Sequence, residues 1–112
     1  MARVFVTQLP NRFDSATRAL VPSVNIAPAT EFGEIVVMFP PRAPFFHTSE
    51  LLKQLALHLE SYNFDGGDCI VLLGDTTLMA AASAYLGKRF GKFKLLRWDR
   101  NLGRYTPIVV KI

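Results

Sequence analysis

Three short apolar runs, separated by two segments of helical periodicity, constrain this chain more than any other feature. Ile35-Val36-Val37-Met38-Phe39, Cys69-Ile70-Val71-Leu72-Leu73 and Phe93 to Trp98 each read as a strand. The first is continuous and stopped by Pro40-Pro41, which predicts a strand buried on both faces. Between the first two runs, Leu51, Leu52, Leu55, Leu59 and Tyr62 recur at helical spacing, with Lys53, Gln54 and Glu60 on the other side. Thr48 or Ser49 can cap that helix, Glu50 sits in its first turn, and Asn63 with Gly66-Gly67 ends it. A second helix, Leu78 to about Lys88, is opened by a cap at Asp75 or Thr76. Its alanines allow close approach to a sheet, and its scarcity of polar residues predicts deep burial. Gly87 and Gly91 bracket its basic end, Lys88-Arg89, whose charge opposes the negative helix terminus. Asp99 to Gly103 is then a turn and Arg104 to Ile112 a fourth strand, which Pro107 marks as an edge or as holding a bulge. Strand, helix, strand, helix, strand requires right-handed crossovers. The expected fold is therefore α/β: a small, mainly parallel sheet with a C-terminal antiparallel hairpin.

The N-terminal third is less regular. Arg3 to Gln8 alternates β-branched and aromatic residues like a strand. Leu9 to Gly33, carrying Pro10, Pro22 and Pro28, reads as a long loop or extended arm, with a short strand expected in its middle at Val21, Val24 and Ile26. A structureless segment of 25 residues is uncommon inside a compact domain and usually serves function or assembly. With 50% hydrophobic and 20% charged residues over 112 positions, the chain has the composition of a single domain, residues 1–112. Folding at that size buries roughly two thirds of the extended chain's surface.

Composition also narrows the chemistry. Pro10 interrupts the N-terminus before a signal-peptide core forms, and Thr76 to Gly87 is too short to span a bilayer. A soluble cytoplasmic protein without a membrane partner is expected. The one cysteine, Cys69, lies within an apolar run and reads as a small buried hydrophobe. His47 and His58 have no companion ligands at metal-site spacing, and His58, beside the apolar helix stripe, reads as partly exposed and structural. Ser49 and Ser83 lack a nucleophile-elbow setting; Ser83, among alanines, reads as packing its helix on the sheet. Asp65 and Asp68 flank Gly66-Gly67 as a polar turn. These readings give no catalytic residue, no metal and no cofactor, so the chain is expected not to be an enzyme.

Two features point to binding. In a parallel sheet, ligands lie beyond the carboxyl ends of the strands. Three segments end there: Pro40-Pro41-Arg42, Gly74-Asp75-Thr76-Thr77 and Trp98-Asp99-Arg100. Arg42, with His47 near the same rim, and the amides around Gly74, Thr76 and Thr77 form a candidate anion site. Gly74 alone is no dinucleotide or Walker fingerprint, and Asp75 has the plainer role of helix cap. The second feature is charge. Residues 1–87 hold five basic and eight acidic side chains, and residues 88–112 hold eight basic side chains against Asp99 alone, so the overall +4 hides −3 and +7. Lys88, Arg89, Lys92, Lys94, Arg97, Arg100 and Arg104, interleaved with Phe90, Phe93, Trp98 and Tyr105, suit a polyanion or an acidic protein surface. The plainer alternative is that these cations solvate an edge hairpin and discourage strand-to-strand aggregation. Lys92, Lys94, Leu96 and Trp98 would share one face of that strand, with Phe93, Leu95 and Arg97 on the other.

Val21-Pro22, the run Pro28-Ala29-Thr30-Glu31-Phe32-Gly33-Glu34, the Gly74-Asp75 turn before an alanine-rich helix, Leu95 to Arg100 and Tyr105-Thr106-Pro107 together resemble a family of small proteins encoded by tailed bacteriophages. The resemblance carries no assigned activity and no functional residues. It implies a bacterial host cytoplasm during infection, where short accessory proteins bind a host or phage protein or help phage DNA metabolism. The leading expectation is a non-enzymatic binding protein that uses the arm and the basic hairpin. The alternatives are a nucleic-acid-binding module and a structural, homo-oligomer-forming subunit.

Overall fold

The computed structural model describes residues 2–41 and 48–112. Its centre is a five-stranded sheet in the order β4-β1-β5-β6-β7, built from β1 (Arg3–Gln8), β4 (Glu34–Phe39), β5 (Cys69–Val71), β6 (Lys92–Asp99) and β7 (Arg104–Lys111). The first four of these are parallel to one another, and β7 returns antiparallel to β6 along its whole length, Lys92↔Lys111 to Asp99↔Arg104. Helices α1 (Thr48–Leu59) and α2 (Thr76–Phe90) make the crossovers β4 to β5 and β5 to β6. The chain is mixed α/β with a mainly parallel sheet and a C-terminal antiparallel hairpin.

Alternation along β1 divides the core in two. Phe5 joins Met38, Leu51, Leu55, Leu59, Tyr62, Ile70, Leu78, Ala82, Leu86 and Phe93 under the helices. Val4 and Val6 point to the other face, where they meet Ala29, Cys69, Val71, Leu96 and Tyr105. That second face is covered by a 3₁₀ segment, Ala27–Phe32, started by Pro28 in its first turn. The crossover from β1 to β4 runs one way across this face, and the helical crossovers run the other way across the opposite face. Opposite directions on opposite faces give the same hand, so all three crossovers share one handedness, as the crossover rule requires.

Several expectations from sequence change here. The strand at Ile35–Phe39 is an edge strand, and Val37 is 43% exposed. The place buried on both faces belongs to β1, whose Val4, Phe5, Val6, Thr7 and Gln8 are all buried. The segment 9–33 is not structureless. It holds an antiparallel ribbon, β2 (Asn11–Asp14) with β3 (Ala19–Pro22), in addition to the 3₁₀ segment. Val21 lies in β3, but Val24 and Ile26 lie beyond it, because the chain turns at Ser23 to reach the body. Leu52 leaves the apolar stripe of α1 and is 48% exposed; Leu51, Leu55 and Leu59 suffice to cover the sheet. Helix α2 runs on to Phe90, closed by Gly91 in the left-handed conformation, and buries one face only: Leu78, Ala82, Leu86 and Gly87. Ala80 and Ala84 are exposed. Alanine favours the helix by propensity, without needing burial.

Asp68 is a further correction. It is 2% exposed, and far from lining a solvated turn it ties the amino ends of β1 and β5 together. Its carboxylate accepts from the Arg3 backbone N–H at 2.9 Å, from Arg3 Nη2 at 3.0 Å and from the Asn63 N–H at 2.9 Å. Arg3 also donates to the hydroxyl and the carbonyl of Ser61. A buried carboxylate so fully bonded holds its site, although the partly exposed Arg3 makes the pair worth less than a fully buried one.

Candidate functional site

The carboxyl ends of the parallel strands form the rim where a ligand was expected, and the chain's own side chains fill most of it. Strand order reverses between β1 and β5, the place where α/β sheets open a crevice. Gln8, 5% exposed, occupies that crevice. Its Oε1 accepts from the Asp75 N–H at 2.8 Å, and its Nε2 donates to the carbonyls of Pro40 and Pro41 at 2.9 and 3.1 Å. Thr7 closes the same gap by accepting from the Leu73 N–H and donating to the Leu73 carbonyl. Gly74 lies directly over Gln8 at φ +87°, where a Cβ would collide with the Gln8 side chain, so glycine is required there.

The structure brings Gly74, Thr76 and Thr77 together at the start of α2. Asp75 caps that helix, its Oδ1 accepting from the N–H groups of Thr77 and Leu78 at 2.8 and 3.4 Å. Arg42 and His47 lie outside the described residues. His58 is half-buried, its ring edge-on to Phe39 at 5.5 Å, and the Ser83 hydroxyl donates back to the Met79 carbonyl of its own helix. Cys69 is buried, its Sγ directed at the Gly67 carbonyl, and burial pushes its thiol pKa up. Among the described residues, no group of three or more His, Cys, Asp or Glu is placed to hold a metal ion, and no helix is long and apolar enough to cross a membrane.

The basic residues of the last quarter separate into two groups. Lys88 and Arg89 lie in the last turn of α2, near the start of β6, where Lys92 and Lys94 stand over the Phe64 ring at 4.6 and 5.8 Å. Arg97, Arg100 and Arg104 gather at the other end, around the turn from β6 to β7. At ~3.3 Å per residue, the ends of β6 lie about 23 Å apart, while the nearest members of the two groups, Lys94 and Arg97, are three residues, about 10 Å, apart along the strand. Arg104 is paired with Glu31 of the 3₁₀ segment at 2.8 Å. Arg97 and Arg100 have no carboxylate partner among the described residues.

Sequence reasoning missed an opening beside β6. β5 is in register with β6 at Ile70↔Leu95 and ends at Val71, while β6 continues to Asp99 beside β7. The strands therefore fork. An open cleft of about 600 Å³ fills the fork, with Val71, Leu72 and Leu73 on one wall and Leu96, Trp98 and Tyr105 on the other. Val24, Asn25 and Pro28, just beyond the ribbon β2–β3, also line it. Trp98 is 44% exposed and packs edge-on against Tyr105 at 5.0 Å. Tyr105 is 4% exposed, and burial pushes its phenol pKa up. The only advance signal was Trp98 itself, an aromatic among cations at a strand end.

The ribbon that roots in this cleft is the second unsatisfied surface. Its strands, of four residues each, pair only with each other, joined by a turn in which Asp14 accepts from the Ala16 N–H and the Thr17 hydroxyl. Phe13 and Leu20 stand directly opposite each other and are 63% and 52% exposed. The model of one protein family, described as Phage Pam3 gp32-like protein, matches residues 2–112. The chain belongs to that phage protein family. No curated protein and no solved structure matches it. For this member of the Phage Pam3 gp32-like proteins, the exposed ribbon, the cleft at its root and the arginines beside it make up the candidate site.

Proposed function

We propose that this phage protein works without catalysis, by binding a host or phage protein whose contact surface is acidic, through the ribbon β2–β3 and the arginine-bearing end of the β6–β7 hairpin. The observation that carries the reading is the apolar pair Phe13 and Leu20, held out on a ribbon that does not join the main sheet. A lone two-stranded hairpin is marginal in water, and two large apolar side chains on it add stability only when something covers them. The uncompensated Arg97 and Arg100 favour carboxylates on the covering surface and speed encounter with them.

Pairing of Arg104 with Glu31 interrupts the row of free cations along the hairpin, which favours this over a nucleic-acid surface, where a continuous basic track is needed. Affinity capture from nuclease-treated host lysate, with the natural chain and with Phe13→Ser/Leu20→Ser, tests the reading. The natural chain is expected to retain a protein partner that the double variant loses. Retention that depends on nucleic acid, weakening steeply with salt, would overturn it in favour of phosphate-backbone binding.

A further inference from the structure

We propose that the fork between β5 and β6 is a second recognition site, which takes an extended, acidic peptide segment carrying apolar side chains. The inference rests on the protein-binding reading above and names what part of the partner enters the cleft.

Four observations converge on it. The first is the backbone. At the lower end of the fork, the Lys94 N–H donates to the Tyr62 hydroxyl at 2.9 Å, and that hydroxyl donates to the Asp68 carbonyl just ahead of β5. Lys94 thus turns its N–H toward β5. Main-chain donors alternate sides along a strand, so the N–H of Trp98, four residues on, faces the same edge where β5 has already ended. An extended segment laid in the fork would continue the ladder that stops at Ile70↔Leu95.

The walls give the second. Val71, Leu72, Leu73, Leu96 and Trp98 enclose about 600 Å³, within the range of sites that hold a side chain or small ligand. Tyr105 gives the third. It is 96% buried by its 4% exposure, and no described residue bonds its hydroxyl. Among the described residues no side-chain polar atom is both sealed and unpaired, so this hydroxyl opens onto accessible space, and the cleft is the cavity that Tyr105 lines. A phenol whose ring is buried and whose hydroxyl opens at a cleft wall is placed to donate to an acceptor on an incoming ligand. Charge is the fourth. Arg97 lines the cleft, Arg100 follows in the next turn, and neither is neutralised among the described residues. The acceptor that suits both the phenol and the arginines is a carboxylate.

The same cleft could be offered the Phe13–Leu20 ribbon of a second copy. That ribbon carries Arg12 and Arg18 against Asp14 alone and would bring cations to a cationic rim, so an acidic segment is the better match.

The test uses the full chain and Trp98, its one tryptophan, as reporter. An acetylated hexapeptide alternating Glu with Leu and Phe is titrated against two counterparts, one with Lys for Glu and one with Ser for Leu and Phe. Saturable blue-shifting of Trp98 emission by the first peptide is expected, with at least tenfold weaker response to the other two. Amide shifts in an ¹⁵N-labelled sample should map to Leu72, Leu73, Leu96, Arg97 and Trp98. Tyr105→Phe, checked by its urea unfolding curve, should weaken binding about tenfold, the loss of one hydrogen bond to a charged group. Equal response to the Glu and Lys peptides, or amide shifts elsewhere, would overturn the proposal. So would a concentration-dependent change at Trp98 without peptide that Phe13→Ser abolishes, since the cleft would then hold the ribbon of a second copy. Capture from lysate separates the two levels. If Phe13→Ser/Leu20→Ser loses the partner while Tyr105→Phe keeps it and the peptide does not bind, the cleft inference fails and the ribbon reading stands. If all variants keep the partner, the reading beneath it fails.

Discussion

Tyr62 shows how much one side chain can carry in a domain this small. Lying just beyond α1, 3% exposed, it donates to the Asp68 carbonyl and accepts from the Lys94 N–H, bridging β5 and β6 where their direct pairing has not begun. Burial pushes its pKa from 10.0 up to about 12, against the smaller opposing effect of the Lys94 N–H. The folded chain therefore keeps a proton that the unfolded chain gives up above pH 10. Stability contributed by the neutral phenol is complete below that pH and falls as the pH rises toward 12. Over that window the loss is on the order of 2–3 kcal/mol. Urea unfolding at a series of pH values should show this fall in the natural chain and a flatter profile in Tyr62→Phe; parallel profiles would refute it. In sequence, Tyr62 was legible as the last residue of a helical stripe, but its hydroxyl was not. Asp68 was misread for the same reason. Nothing near Gly66-Gly67 signals an arginine 65 positions away.

At the scale of elements, local pattern located the five strands of the main sheet and both α-helices, because apolar runs and helical periods report burial directly. Strand order was another matter. That β1 separates β4 from β5 depends on contacts across more than thirty positions, such as Val4↔Ile35 and Val4↔Cys69, and no local period encodes them. The fork was hidden likewise: the apolar run continues through Leu72 and Leu73, although pairing with β6 has already lapsed. The ribbon β2–β3 reads poorly because its strands are short and exposed. It should also be separable. The Ser23 N–H donates to the Pro10 carbonyl at 2.8 Å, so the ends of the excursion already meet. Replacing residues 11–22 by two glycines is expected to leave the free energy of urea unfolding within ~0.5 kcal/mol of the natural value, as for a change away from the core. A loss of more than about 2 kcal/mol would show that the ribbon is part of the folding unit.

Taken as a whole, the molecule spends its buried polar groups on closing itself. Gln8 and Thr7 seal the crevice beside β1, Asp75 caps α2, and Asp68 locks the amino ends of the strands. At one end the structure gathers a ribbon with two exposed apolar side chains, a cleft at its root and, among the described residues, arginines without a carboxylate partner. The net charge of +4 said little about this, since six of the eight C-terminal cations lie away from that end or are already paired. Placement within the fold, and not charge in total, singles out the proposed contact surface. The most direct test puts a photoreactive benzoylphenylalanine at Phe13, with Leu57 on the exposed side of α1 as control, and irradiates during infection. A discrete adduct to another protein from position 13 and none from position 57 is the expected result. Equal labelling from both positions, or adducts to nucleic acid alone, would contradict it.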